Sequence, residues 1–437
     1  MRVSHLKEVL LSFVATVLLA CSLPCAGEPV PFSHAVELAL QHSGMMAVSA
    51  LNQRKAVDLY EQARAAYLPN ITFGSGLGYS IGIPPSMEGS APSLFNIVTQ
   101  QSLLNFAQRD FVRAARNDVQ ATHFDTANRR DDVILEAATA YVELDMALRK
   151  LKTLGDAAQA AHRAQFITSE RLKEGLDSQL DLKKAQLNIA KVNMRVAEAQ
   201  TAADVARQRL ARLTGLPAVS IETVSSSIPA SPEIGQDEDL PARAARNNPV
   251  VQLAQQKVIS AQLRARAEAR VLYPSIDIAS QYERLSSTLN NYAQYYKTFT
   301  PNSFAIGLSF RIPVTDFAQH AKANAAAADL LRARQDAQMT HDQVEENVLQ
   351  MQRSLRQIAA AGDVARLEYE VTQAEIDSVR AKLASGQSNA RDQENALLDA
   401  SQRYSSYLDA QLQLTRATMQ LMRQTGDIGS WALPQKP

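Results

Sequence analysis

The chain has 437 residues with Lys+Arg and Asp+Glu equal at 45 each, so its formal net charge is zero. That balance removes the electrostatic footprint of a dedicated nucleic-acid binder. Alanine occurs 69 times against 16 Gly and 17 Pro, and aromatics are only 6%; such a chain is mostly long helix and is not collagen-like, low-complexity or disulfide-rich.

The N-terminus reads as an address. Arg2 and Lys7 precede an apolar run, Val9–Ala20, and small residues and Pro follow. The run falls short of the ~20 residues a spanning helix needs, so 1–27 is predicted to be a secretory signal peptide. In the alternative, Leu18-Leu19-Ala20-Cys21 serves as a lipoprotein box, 1–20 is removed and Cys21 is acylated. Either way the protein is exported, and no later segment is apolar for long enough to cross a bilayer as a helix.

After a first helix the period changes at Pro69. Ile71, Phe73, Leu77, Tyr79, Ile81 and Ile83 alternate with Thr72, Gly74, Gly76, Gly78, Ser80 and Gly82. A weaker alternation through Phe95 and Ile97 completes a β-hairpin over about 70–103. A helix then runs over about 105–174 with a heptad seam through Ile134, Tyr141, Leu148 and Ala137, Leu144, Leu151, then Ala158. Gly175 breaks it, and a return helix over 177–214 ends at Gly215 as a glycine cap. Residues 216–240, with Pro217, Pro229, Pro232, a Ser run and Asp237-Glu238-Asp239, read as a linker.

The pattern then repeats. A helix leads to Pro274, and alternating residues through Ile276, Ile278, Tyr282, Phe304, Ile306, Leu308, Phe310 and Ile312 mark a hairpin over about 275–313. A helix over about 316–385 follows. Its seam is Val344, Met351, Ile358, Ala365, Thr372, Val379 at one heptad position and Val348, Leu355, Gly362, Tyr369, Ile376, Leu383 at the other. Gly386 breaks this helix, a return helix spans 388–425, and 427–437 is a C-terminal tail. At 1.5 Å per residue each long helix measures about 100 Å, more than a globular core needs.

The two halves, 28–215 and 241–426, are copies. Residues 171–215 lie over 382–426 at a constant offset of 211 with 12 of 45 pairs identical, including Gly175/Gly386, Asp181/Asp392 and Thr214-Gly215/Thr425-Gly426. Phe106-Ala107-Gln108 maps onto Phe317-Ala318-Gln319 at the same offset, while Ala66-Tyr67-Leu68-Pro69 maps onto Val271-Leu272-Tyr273-Pro274 at 205. The strands have an apolar face and a small or polar face carrying Asp277, Gln281, Glu283 and Arg311, as transmembrane strands do. Four strands cannot close a barrel, and open edges in lipid leave backbone groups unpaired. Copies of the same chain are therefore required to complete a hollow assembly.

At this point the sequence resembles the TolC-like outer-membrane efflux proteins. The resemblance runs from Phe32-Ser33-His34-Ala35-Val36-Glu37-Leu38-Ala39-Leu40 to Gly426. It rests on Ala66-Tyr67-Leu68-Pro69, on Arg171-Leu172-Lys173-Glu174-Gly175 with the following Leu176–Leu182, and on Leu210–Pro217. It implies a mainly α fold with a small β part: long coiled-coil helical hairpins forming an α-barrel continuous with a transmembrane β-barrel. It further implies a homotrimer with twelve strands in outer-membrane lipid, docked on a periplasmic adaptor and an inner-membrane pump. In family members, carboxylates and hydrogen bonds near the helix tips close the tunnel. The matching positions here are Asp181 and Asp392; a second inward acid of the family is Asn395 in this chain, which weakens the charge there. The bland alternative is that Asp181 and Asp392 are solvated acids in the first turn of the return helices, favoured by the helix dipole.

Other chemistry finds little support. Gly74-Ser75-Gly76-Leu77-Gly78 lacks the helix start and spacing of a phosphate loop. His5, His34, His42, His123, His162, His320 and His341 are scattered without metal-site spacing. No nucleophile elbow is present, so neither a catalytic residue, a cofactor nor a metal site is predicted. Two rival readings are a periplasmic adaptor, which carries one helical hairpin instead of two, and a structural exported coiled coil, which would not need the strands.

Overall fold

A computed structural model describes residues 28–76, 93–232, 239–286, 298, 300–388 and 390–434. The signal peptide, Cys21, the outer part of the first predicted strand and the outer turn of the second predicted hairpin lie outside them. In chain order the elements are β1 (Glu28–Val30), α1 (Phe32–His42), α2 (Gly44–Ala65), β2 (Asn70–Gly76), β3 (Ser93–Leu104), α3 (Phe106–Lys173), α4 (Gln179–Thr214) and β4 (Ile221–Thr223). Then come α5 (Leu240–Asn247), α6 (Pro249–Arg270), β5 (Ser275–Leu285), β6 (Asn302–Arg311), α7 (Phe317–Ala384), α8 (Ala390–Thr425) and α9 (Ile428–Ala432).

The duplication reaches the level of single hydrogen bonds. The helices α3 and α7 have 68 residues each, α4 and α8 have 36 each, and α2 and α6 have 22 each. At the start of α3, Asn105 Oδ1 accepts from the Gln108 N–H at 3.0 Å, and Gln108 Nε2 donates to the Ala63 carbonyl at 2.7 Å. At the start of α7, Asp316 Oδ1 accepts from the Gln319 N–H at 2.8 Å, and Gln319 Nε2 donates to the Glu268 carbonyl at 2.9 Å.

The chain divides into two compact units. One comprises Ala47–Arg129 and Ala245–Glu345. Its four-stranded antiparallel sheet has the order β2-β3-β5-β6, so β2 and β6 are edges. Ala107, Asp110, Ala114, Asn117 and Ala121 form the buried stripe of α3 in this unit. The stripe is locked to α6: Asn117 Nδ2 donates to the Gln256 carbonyl at 2.8 Å and to Ser260 Oγ at 3.0 Å, and Arg270 Nη1 meets the buried Asp110 at 2.6 Å.

The other unit holds the described residues up to Met46, Arg130–Ala244 and those from Glu346 onward. Its core gathers Phe32, Ile134, Tyr141, Leu144, Leu210, Met419 and Ile428. The Phe32 ring lies edge-on to Tyr141 and Trp431, with centroids 5.4 and 5.3 Å away. Two three-residue strands, β1 and β4, pair in parallel, Val30 opposite Thr223. Tyr141 fixes this junction, its hydroxyl donating to the Val30 carbonyl at 2.7 Å and accepting from the Val224 N–H at 2.8 Å. Within the segment read from sequence as a linker, Ile221 is buried and β4 pairs with β1 at the start of the first repeat.

Along α7 the positions on the predicted seam from Val344 to Leu383 are buried or half-buried, and Val348, Thr372 and Ile376 are the deepest. In α3 the seam holds through Leu144 and then moves one position: Leu154, Ala157, Ala161 and Ala164 are buried, whereas Leu148, Leu151 and Ala158 are only half-buried. The cause is a second neighbour. Here α3 packs against Val192 and Ile189 of α4 and Leu398 of α8 together, so its buried stripe is centred between two partners and not aimed at one.

Candidate functional site

Two features are candidate sites: the tips of the helical hairpins and the open sheet. At the first tip, Gly175 has φ 74°, a left-handed conformation that glycine adopts without a Cβ penalty. The Gly175 N–H donates to the Leu172 carbonyl at 3.1 Å and the Leu176 N–H to the Arg171 carbonyl at 2.8 Å, a Schellman motif that satisfies the last carbonyls of α3. The second tip repeats it, with Gly386 at φ 75°. There the Gly386 N–H reaches Leu383 O at 3.1 Å and the Gln387 N–H reaches Lys382 O at 2.8 Å.

Asp181 then starts α4. Its Oδ2 accepts from the Ser178 N–H at 3.1 Å and from Ser178 Oγ at 2.6 Å, and its own N–H donates to Ser178 Oγ at 3.2 Å. This is a capping box, which satisfies otherwise orphaned N–H groups of the first turn. The Ser178 hydroxyl, with the Ser178 N–H, holds the Asp181 carboxyl below the usual carboxylate range, and Arg391 and Lys184 act in the same direction. In the second repeat, Asp392 accepts from Ser388 Oγ at 3.0 Å.

The two repeats meet at these tips through a residue that the sequence reading did not single out. Arg391, at the start of α8, places Nη1 at 3.5 Å from Asp177 Oδ2 and 4.0 Å from Asp181 Oδ1. The Asp177 side chain is only 5% exposed and also takes Arg171 Nε at 3.2 Å. A cleft of about 260 Å³ opens beside this cluster, lined by Asp181, Lys184, Asn188, Arg391 and Asn395 among others. The structure therefore brings Asp181 and Asn395 together, while Asp392 is not among the residues lining the cleft. Asp177–Arg391 carries no local sequence signal, because its members stand 214 residues apart in segments whose pairing only the fold defines.

The sheet presents the second feature. Ile71, Phe73, Phe304, Ile306, Leu308, Phe310 and Ile312 are all exposed. The opposite face carries Asp277, Gln281 and Glu283 beside Ala305, Gly307 and Ser309 of β6. Aromatic rings form a row across the apolar face: Phe73 stacks on Phe95 at 6.0 Å, Phe95 meets Tyr282 at 5.9 Å, and Tyr282 lies opposite Phe304. Such a row is the composition of an interfacial girdle on a transmembrane barrel. Among the described residues, the outer edges of β2 and β6 have no strand partner.

One group of metal-ligand type occurs among the described residues: His341, Asp342 and Glu345 on α7. Its geometry is divided, since Nδ1 of His341 faces Asp342 at 3.4 Å while Nε2 faces Glu345 at 3.8 Å. The two acids thus lie against different nitrogens of the ring.

Comparison with known proteins agrees with this architecture. The sequence model of a family described as outer membrane efflux protein matches residues 35–216 and 240–427, one segment for each repeat. Protein CyaE of Bordetella pertussis is 24% identical over 328 residues, covering 72% of this chain and 67% of that protein. Among solved structures, the outer-membrane channel OprN superposes with a TM-score of 0.74 at 17% identity, covering 92% of this chain and 90% of that one. CusC, whose structures concern folding and transmembrane channel formation, superposes at 0.73 with 15% identity, covering 92% and 97%.

Proposed function

The chain belongs to the outer membrane efflux protein family, and on that premise we propose that it works as a homotrimeric conduit whose periplasmic end is opened by partner proteins. It is an outer-membrane channel component of a Gram-negative bacterium, with a large periplasmic part. The observation that carries the reading is the incomplete wall. Among the described residues, four strands with an exposed apolar face end in two unpartnered edges, and in lipid each unpaired backbone group costs several kcal/mol. Three copies supply twelve strands, enough for a closed barrel. Lipid covers the girdle and the apolar band, and the polar face lines water.

The gate lies at the helix tips. Arg391 of the second repeat holds Asp177 of the first, with Asp181 as a further partner. Separating the two hairpins takes the Arg391 guanidinium away and leaves Asp177 with Arg171 alone. Around a three-fold axis, three copies of Asp181 present a ring of negative charge, which attracts cations and repels its own members. A periplasmic adaptor docks at these tips and joins the conduit to an inner-membrane pump, and small molecules are the cargo.

Planar-bilayer recording tests the gate. Arg391→Ala is expected to raise single-channel conductance by about twofold or more, and Asp181→Asn to lower cation preference. Recordings of both variants that match the parent would remove the tip cluster from the gate.

A further inference from the structure

Resting on the conduit reading, we propose the residue register in which β6 of one subunit pairs with β2 of the next: Arg311 opposite Gly74, Phe310 opposite Ser75, and Ser309 opposite Gly76. From Asn70 to Gly74 the first hairpin keeps the register of the second; beyond it β3 carries one extra residue, so that Gly76 lies opposite Ser93, while β5 and β6 pair without a shift. Within the first, Asn70 lies opposite Gln100, Ile71 opposite Thr99 and Phe73 opposite Ile97. Within the second, Ser275 lies opposite Arg311, Ile276 opposite Phe310 and Ile278 opposite Leu308. So β2 maps onto β5 at the offset of 205 and β3 onto β6 at 211, the same offsets that relate the flanking helices.

The chain already contains one junction between its two copies. There β3 pairs with β5, Gln100 opposite Ala279, Thr99 opposite Ser280 and Val98 opposite Gln281. A ring of identical subunits needs a second junction, head to tail, from β6 onto the next β2. If every hairpin in the barrel is equivalent, that junction copies the first. Carrying β3 to β6 and β5 to β2 through the same offsets turns those three pairs into the three proposed ones.

Side-chain parity supports the result independently. In this register the even-numbered residues of β6, which include exposed Phe310 and Leu308, meet the odd-numbered residues of β2, which include exposed Ile71 and Phe73. The apolar face therefore continues unbroken from subunit to subunit. A slip of one residue would set Phe310 against a glycine of the polar face, which is why register is strongly specified where one face is apolar. Slips of two keep the parity, and the repeat decides among them. Arg311, the bulkiest residue on its face of β6, gains a glycine as its opposite number.

Disulfide trapping tests the register, because both native cysteines lie at or before position 25 and engineered thiols are then the only ones in the body of the chain. Two registered pairs on opposite faces are made, Ser75→Cys with Phe310→Cys and Gly76→Cys with Ser309→Cys. Two slipped controls combine Ser75→Cys with Leu308→Cys or with Ile312→Cys. Directly opposite Cβ atoms lie about 4.5–5.5 Å apart and diagonal ones about 7–8 Å, and a disulfide requires roughly 3.5–4.5 Å. Outer-membrane fractions oxidised with copper phenanthroline are expected to give covalent dimers and trimers on non-reducing gels. The better registered pair should exceed either slipped pair about fivefold. Co-expressed single-cysteine chains, Ser75→Cys with Phe310→Cys, should give the same dimer and so prove that the bond is between subunits. Equal or stronger trapping of a slipped pair, or no trapping of either registered pair in protein that is trimeric by native mass, overturns the register while leaving the conduit intact. Parent protein that is monomeric by native mass overturns the conduit reading and the register with it.

Discussion

Tyr141 uses one hydroxyl to close two backbone groups, the Val30 carbonyl and the Val224 N–H. Removing that oxygen takes this partner from the buried Val30 carbonyl and the half-buried Val224 N–H. Tyr141→Phe is therefore expected to cost about 1–3 kcal/mol, seen as a lower midpoint in denaturant unfolding of the detergent-solubilised protein. Nearby, burial pushes the Asp131 carboxyl up to about 6, with Arg130 and Arg423 opposing the shift and Asp132 adding to it. The folded state then holds a proton that the unfolded state has already released. Its stabilising effect is complete below the ordinary value near 4 and is lost as pH rises through about 6. Asp131→Asn should flatten this fall and raise the thermal midpoint at pH 7.5 relative to the parent. Melting curves between pH 4.5 and 7.5 that remain parallel would contradict it.

At the scale of elements, β6 is the strand most dependent on its surroundings, since every one of its residues is exposed in the single chain. Ile306, 64% exposed, belongs to the apolar face. Ile306→Arg is expected to cost about 2–4 kcal/mol if lipid covers that position, reducing assembled protein in outer-membrane fractions; normal amounts would take the strand out of the bilayer. Hairpins of this kind are legible in sequence because alternation has a period of two and the apolar face is continuous. The seam of α7 is legible for the same reason at a period of seven. The α3 seam is legible only as far as Leu144, because a helix with two neighbours buries residues that a single heptad stripe does not contain. The strands β1 and β4 escape sequence reading altogether. Three residues carry no periodicity, and their pairing depends on Tyr141, which contacts both from another part of the chain.

For the whole molecule, the duplication is what made architecture readable from residues. It located both tip glycines, which share their left-handed geometry within a degree, and it required a second hairpin wherever the first was found. It also set a limit at the candidate site. Equivalent sequence positions suggest equivalent roles for Asp181 and Asp392, yet Asp181 lines the cleft with Asn395 and Arg391, whereas Asp392 is bonded to Ser388. The reason is that Arg391 has no basic counterpart: the corresponding residue in the first repeat is Leu180. Asp177 likewise corresponds to Ser388, so both partners of the ion pair between the repeats lack charged counterparts.

Native mass spectrometry of the full-length protein, extracted in detergent from outer membranes, tests the incomplete wall most directly. The account predicts a particle of three mature chains that is lost from solution when detergent is withdrawn. A single chain, recovered from the periplasm and stable in water, would contradict it.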